Sequence, residues 1–432
     1  MRPVKIVVIG AGSASFGSGT LSDLLQEDAV AGSTLSLVDV DGESLTLMGD
    51  LAKRANQEWG SGLTIECHTD RRQALPDADY VIVSVEVERE KRWALDWEIP
   101  AKHGIIQPMG ENGGPGGFAH AMRNIPILVG IAHDMERLCP KAWLLNFTNP
   151  VHRLTEAATL YSSIATLGLC HGIYGTRNFL ARIMEIAPRH LDAKAAGINH
   201  FTWILDLRLT PSGGDAYPLL RKTLKRKEAP GWELSKEMFE FFDLWPSPGD
   251  DHIAEYLHHC HLPVAQADVR YGLPSKRWLG GEKHRAEKRE QIRRTVKSEE
   301  SLKWLARRSG ERASSIILGR EQNRNSLELA VNIPNCGYIE NVTEGAAVEV
   351  PALVSHFGVQ GLPMGPLPPA LAAICQTQTA IAQLTAKAAV EQSRQAALQA
   401  LLLDPTINDT RLAATILDDF QAAHRGLMPE LK

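Results

Sequence analysis

The chain has 432 residues, of which 44% are hydrophobic and 22% charged, a balance that excludes a disordered chain and fits two or three globular domains. Its 46 basic and 51 acidic residues leave a net charge of only -5, so no overall field directs it to nucleic acid or anionic membranes. No apolar run approaches the roughly 18 residues of a membrane span.

Residues 4–9, Val-Lys-Ile-Val-Val-Ile, read as a buried parallel strand that opens the chain. Met1 to Ile6 lacks a signal-peptide pattern, so a cytoplasmic address is expected. A turn from Gly10 to Ser15 leads into a helix marked by Leu21, Leu24 and Leu25. A second strand over 34–38 ends at Asp39, and 42–58 reads as a helix. Further strands are expected over 65–68, 79–84, 143–146 and 165–169. This alternation predicts an α/β fold, a Rossmann-like doubly wound parallel sheet in a dinucleotide-binding domain over 1–195.

After residue 195 the rhythm breaks. Residues 201–209 form one strand, 282–308 a densely charged helical stretch of mixed sign, and 365–432 an Ala/Leu/Gln-rich helical region broken near Asp404-Pro405. The expected second domain, over 196–432, is α+β and largely helical; it carries substrate, metal and subunit contacts. The six cysteines form no CxxC pair and are too sparse for a disulfide scaffold.

Gly10-Ala11-Gly12-Ser13 lies where a dinucleotide pyrophosphate meets backbone N–H groups at a helix start. Ser15 replaces the third glycine of the usual pattern. Asp39, ending the second strand, suits the ribose hydroxyls and repels a 2′-phosphate, which favours NAD over NADP. Gly10, Gly12, Ser13 and Asp39 are therefore the cofactor candidates. Cys170 ends an apolar strand, and His200 follows it by thirty residues. A thiolate with an imidazole suits a borderline divalent ion, although a core cysteine and an unrelated histidine fit the spacing equally. Asn149, before Pro150, sits at another strand end, where a plain Asn-Pro turn also explains it.

Several motifs occur in one order: Gly10-Ala11-Gly12-Ser13, Gly113-Gly114-Pro115-Gly116-Gly117, Asn146-Phe147-Thr148-Asn149-Pro150 and Cys170-His171-Gly172. Gly197-Ile198-Asn199-His200-Phe201, Gly249-Asp250-Asp251-His252-Ile253-Ala254-Glu255, Val331 to Ile339 and Val348-Glu349-Val350-Pro351 follow. Across roughly residues 4–405 this ordered set resembles glycoside hydrolase family 4, the NAD- and metal-dependent glycosidases. The resemblance implies hydride removal from C3 of a sugar, proton removal at C2, elimination of the aglycone, water addition and return of the hydride. A divalent ion, Mn2+ first, chelates the C2 and C3 oxygens as a Lewis acid.

Carried over by residue, the resemblance makes Cys170 and His200 the metal ligands and Asn149 a sugar contact. Asp250 becomes the C2 base, with Asp251 its fallback. Glu111, followed by Asn112 at the sugar, becomes the acid for the leaving group, and His171 an acid or supporting partner. The phospho-glycosidase branch carries Asn or Asp after the metal cysteine and a Tyr base. His171 and Gly249-Asp250-Asp251-His252 depart from that pattern, which favours a non-phosphorylated α-glucoside, α-galactoside or α-uronide. Arg153, Arg177 or Arg277 could grip a uronate, though each also reads as structural. The resemblance also suggests a homodimer or homotetramer acting on a small glycoside. Two readings stay open beside it: a 6-phospho-glycosidase, and a net sugar or 2-hydroxy-acid dehydrogenase. A non-catalytic NAD sensor has no need of Cys170, His200, Asn149 and Asp250 together.

Overall fold

The structure is a computed structural model and describes residues 1–227, 230–261, 271, 273 and 279–432. The first half alternates as the sequence predicts: β1 (Lys5–Ile9), α1 (Phe16–Leu25), β2 (Thr34–Val38), α2 (Gly42–Trp59), β3 (Thr64–His68) and α3 (Arg71–Ala74). Then come β4 (Tyr80–Val83), α4 (Arg89–Lys102), α5 (Gly114–Leu138), β5 (Trp143–Asn146), α6 (Val151–Tyr161) and β6 (Ala165–Gly168). These six strands are parallel in the order β3-β2-β1-β4-β5-β6. That is the doubly wound arrangement, with its switch point between β1 and β4.

Local signals explain the boundaries. Asp41 caps α2 by accepting from the Glu43 and Ser44 amides, and Gly60 ends that helix in the left-handed region at φ 66°. Strand β1 is apolar on both faces because both are covered. Ile6 and Val8 join the core on one side of the sheet, Val7 and Ile9 that on the other. Each such side chain contributes about 1.5–3 kcal/mol on burial.

The second half adds α7 (Gly172–Ile183), β7 (Leu191–Ile198), β8 (Phe201–Leu209), β9 (Gly214–Asp215), α8 (Tyr217–Leu224) and α9 (Glu233–Phe242). It continues with β10 (Trp245–Ser247), α10 (Asp250–Ile253), β11 (Ser326–Pro334), β12 (Ala347–Ser355) and β13 (Gly358–Gly361). The helices Pro369–Glu391, Arg394–Leu403 and Thr410–Ala423 follow, and the expected break falls at Asp404. Among the described residues, the strands of this half build no sheet of their own. They extend the parallel sheet in the antiparallel order β6-β11-β12-β7-β8-β10. The seam is narrow, with Asn332 of β11 opposite Gly168 of β6 and Glu349 of β12 opposite Gly197 of β7. One transverse row thus runs from Asn146 through Gly168, Asn332, Glu349, Gly197 and Thr202 to Ser247. Among the described residues, no helix is long and apolar enough to cross a membrane.

Candidate active site

The glycine turn after β1 is built by contact with its neighbours. Gly10 has φ 88°, and a Cβ there would collide with the Ser84 carbonyl beyond β4. The turn therefore lies on the switch point itself. The Asp39 carboxylate accepts from the Gly12 amide at 2.8 Å and the Asp41 amide at 3.0 Å. Ser13 places its hydroxyl under the α1 N-terminus, accepting from the Phe16 amide at 3.2 Å. Gly10, Gly12, Ser13 and Asp39 thus form one cluster, with lone pairs left on Asp39.

Cys170, just past β6, and His200, in the two-residue turn between β7 and β8, approach from opposite sides of the seam. Cys170 Sγ lies 3.5 Å from His200 Nε2, and the Gly172 amide donates to the sulfur at 3.4 Å. A thiolate and an imidazole this close are a donor set that would suit a borderline divalent metal. Burial, with His252 and His171 nearby, holds the His200 pKa well below 6.5, leaving the neutral imidazole a ligand requires. Burial and then the Glu349 charge push the Cys170 thiol up to about 12 in the metal-free protein. Metal coordination deprotonates such a thiol.

His252, one turn into the segment after β10, stands beside the pair with its ring centroid 4.1 Å from that of His200 and the two rings tilted by 42°. Ligand atoms of His200, His252 and Glu255 all lie within 4.8 Å of one another. His252 Nδ1 is 3.9 Å from Glu255 Oε1. Burial pulls the His252 pKa down, but Glu255 and Asp251 outweigh it and the pKa is raised. Glu255 in turn seals the N-terminus of α5. Its Oε2 accepts from the Glu111, Asn112 and Gly113 amides at 2.8, 2.7 and 3.1 Å. This is the favourable end of the helix dipole for a carboxylate. Burial opposes its charge, yet His252 and Asn112 prevail and hold its pKa below the usual range. Gly113 lets the chain pass here, because a Cβ would meet the Glu255 carbonyl.

The clamp presents Glu111. Its Oε1 accepts from Arg89 at 3.0 Å and from the Asn149 amide at 3.3 Å, and its side chain is buried. Asn112 donates to Glu255 Oε1 at 3.1 Å, and its own Oδ1 has no partner. The structure therefore brings together Cys170, His200, Glu111, Asn112 and Asn149.

Two sequence candidates have partners of their own. Asp250 is spent on α9: one carboxylate oxygen accepts from the Leu234 amide at 2.8 Å, the other from the Ser235 amide at 2.8 Å and hydroxyl at 2.5 Å. Both oxygens of this candidate base thus accept from a helix N-terminus. Asp251 accepts from the His252 amide at 2.9 Å and remains half-buried beside the group. His171 turns to Glu311 at 3.0 Å, with its side chain 61% exposed, and that carboxylate raises its pKa. Arg153 is buried in α6 with both terminal nitrogens unpartnered, Arg177 lies over the Tyr174 ring, and Arg277 lies outside the described residues.

The sequence reading missed His252, Glu255 and Arg89 as site residues. For the first two a signal existed: His252 and Glu255 are three residues apart, the spacing that puts two side chains on one helical face. Arg89 had none, since a charged residue opening a helix is ordinary.

Residues 5–186 match the description "Family 4 glycosyl hydrolase", and residues 195–407 its C-terminal domain. An alpha-glucosidase of Erwinia rhapontici is 33% identical over 96% of this chain and 96% of its own. An alpha-galactosidase of Bacillus subtilis is 31% identical over 99% of this chain and 100% of its own. The crystal structure of a 6-phospho-alpha-glucosidase from gut microorganisms, in complex with NAD and Mn2+, superposes with a TM-score of 0.88 at 23% identity, covering 100% of both chains. By sequence, over nearly its whole length, the chain belongs to glycosyl hydrolase family 4.

Proposed function

We propose that the protein is an NAD- and divalent-metal-dependent glycosidase acting on a non-phosphorylated α-glycoside. The observation that carries this reading is the Cys170–His200 pair, 3.5 Å apart at the strand ends and connected through His252 and Glu255 to the segment that carries Glu111. The full-length likeness to an alpha-glucosidase and an alpha-galactosidase supports the sugar class. Gly10, Gly12, Ser13 and Asp39 would hold NAD, and Cys170 with His200 would hold Mn2+ or a similar ion. Together these cofactors supply reversible hydride removal at C3 and Lewis-acid polarisation of the sugar oxygens.

The chain's own residues do the rest. Asn149 and Asn112 orient the sugar hydroxyls. Glu111, buried and oriented by Arg89 and Asn149, serves as the acid for the leaving oxygen. His252 takes the C2 proton in place of Asp250, because it stands against His200 and is backed by Glu255.

The test is hydrolysis of p-nitrophenyl α-glucoside, α-galactoside, α-glucuronide and 6-phospho-α-glucoside, with and without NAD+ and Mn2+, under reducing conditions. Hydrolysis of an unphosphorylated sugar that needs both additives, without lasting NADH, supports the reading. Preference for the phosphorylated sugar transfers the protein to the phospho branch. Steady NADH accumulation without aglycone release replaces it with a net dehydrogenase.

A further inference from the structure

Glu349 lies at the centre of the transverse row, on β12, and is 4% exposed. Its Oε2 accepts from the Asn199 side-chain amide at 2.7 Å and from that of Asn332 at 2.9 Å. Its Oε1 lies 2.6 Å from the Thr202 hydroxyl. Asn332 also donates to the Gly168 carbonyl at 3.3 Å, two residues before Cys170. Asn199 is the residue before His200, and Thr202 is two residues after it. One carboxylate therefore ties the chain on both sides of His200 to the strand that carries Cys170.

The His200 backbone makes this tie necessary. His200 has φ 65°, a left-handed conformation that a non-glycine residue adopts at a cost of order 1–3 kcal/mol. The turn holds it because Asn199 is anchored from below. Charge makes a second argument. All three polar partners of Glu349 are neutral, and among the described residues it forms no ion pair. A buried carboxylate without a counter-cation is costly unless a metal stands near it.

We infer that Glu349 is a positioning residue for the metal pair: it locks the Asn199–His200 turn to β6 and supplies the negative charge that a divalent ion at Cys170 and His200 compensates. The inference rests on the metal reading above. It adds that affinity for the ion is set partly from beneath the ligands, by a residue that touches neither ion nor sugar.

The experiment is calorimetric titration of the full chain with Mn2+, for the unaltered protein, Glu349→Gln and Asn199→Ser. NAD binding is measured in parallel, and the thiolate-to-metal absorption of Co2+-loaded protein is recorded. Glu349→Gln should weaken Mn2+ binding by about 10–100-fold while NAD affinity stays unchanged. Asn199→Ser keeps the charge but frees the turn, so it should weaken Mn2+ binding less and shift the Co2+ band. Folded Glu349→Gln that binds Mn2+ within about twofold of the unaltered protein overturns the inference and leaves the metal reading intact. If Glu349→Gln does not fold, Asn199→Ser decides: an unchanged Mn2+ affinity with an unchanged Co2+ band overturns it. Absence of Mn2+ binding by the unaltered protein overturns both.

Discussion

Asp250 separates a catalytic from an architectural role. In Asp250→Ala, the Leu234 amide, the Ser235 amide and the Ser235 hydroxyl all lose their acceptor in a buried place. At about 1 kcal/mol for each bond, the loss is about 3 kcal/mol when the carboxyl is protonated. Ionisation changes that figure. Burial, only partly offset by these three donors, lifts the Asp250 pKa to about 6 from 3.8. A carboxyl whose folded pKa is raised stabilises most fully below the unfolded value, and its contribution is lost as pH climbs to the folded value. The gap is worth about 3 kcal/mol. The substitution should therefore cost about 3 kcal/mol below pH 4 and progressively less as pH climbs toward neutral. Urea unfolding of both proteins at pH 5 and pH 7 reads this difference, and NMR of deuterium uptake at sugar C2 reads the chemistry. Folded Asp250→Ala should still catalyse exchange. Loss of exchange with stability unchanged at both pH values would refute the capping argument and return Asp250 to the role of base.

Cys170→Ser should cut Mn2+ affinity by at least tenfold in a direct titration; full affinity would remove the cysteine from the metal pair. His252→Gln should abolish C2 exchange while leaving NAD affinity intact, and persistent exchange would direct attention to Asp251. Asp39→Ala should weaken NAD binding about tenfold by fluorescence titration, because it removes both the ribose acceptor and the partner of the Gly12 amide. Glu255→Ala strips the acceptor from three backbone amides at the start of α5 and should destabilise the fold by about 3 kcal/mol in urea unfolding.

The parallel half was legible because its strands are short apolar runs separated by helices with clear caps, and because Gly10 and Asp39 occupy strand ends. The 201–209 strand was visible from its alternation. Strands β11 and β12 were not, because they lie far along the chain among helical stretches and pair with strands distant in sequence. The Cys170–His200 proximity was likewise invisible from spacing; it follows from the seam that places β7 two strands from β11. Asp250 shows the opposite situation. The motif containing it was conspicuous, but an acidic residue beside a glycine suits a helix cap as well as a catalytic base, and only its contacts with Leu234 and Ser235 distinguish the two.

The narrow seam also governs how the chain can be recombined. A fragment ending after β6 would leave that strand as an exposed edge, and a fragment beginning near β7 would leave β11 without the neighbour that Gly168 provides. Bare edges of this kind invite association with other chains. Grafting the second half of a relative onto this first half, to exchange one sugar preference for another, therefore has to transplant a matched pair of ladder positions. Asn332 must meet a small residue at 168. A chimera that respects the length of each half but breaks that pairing should express as aggregate, whatever sugar its loops were chosen to recognise.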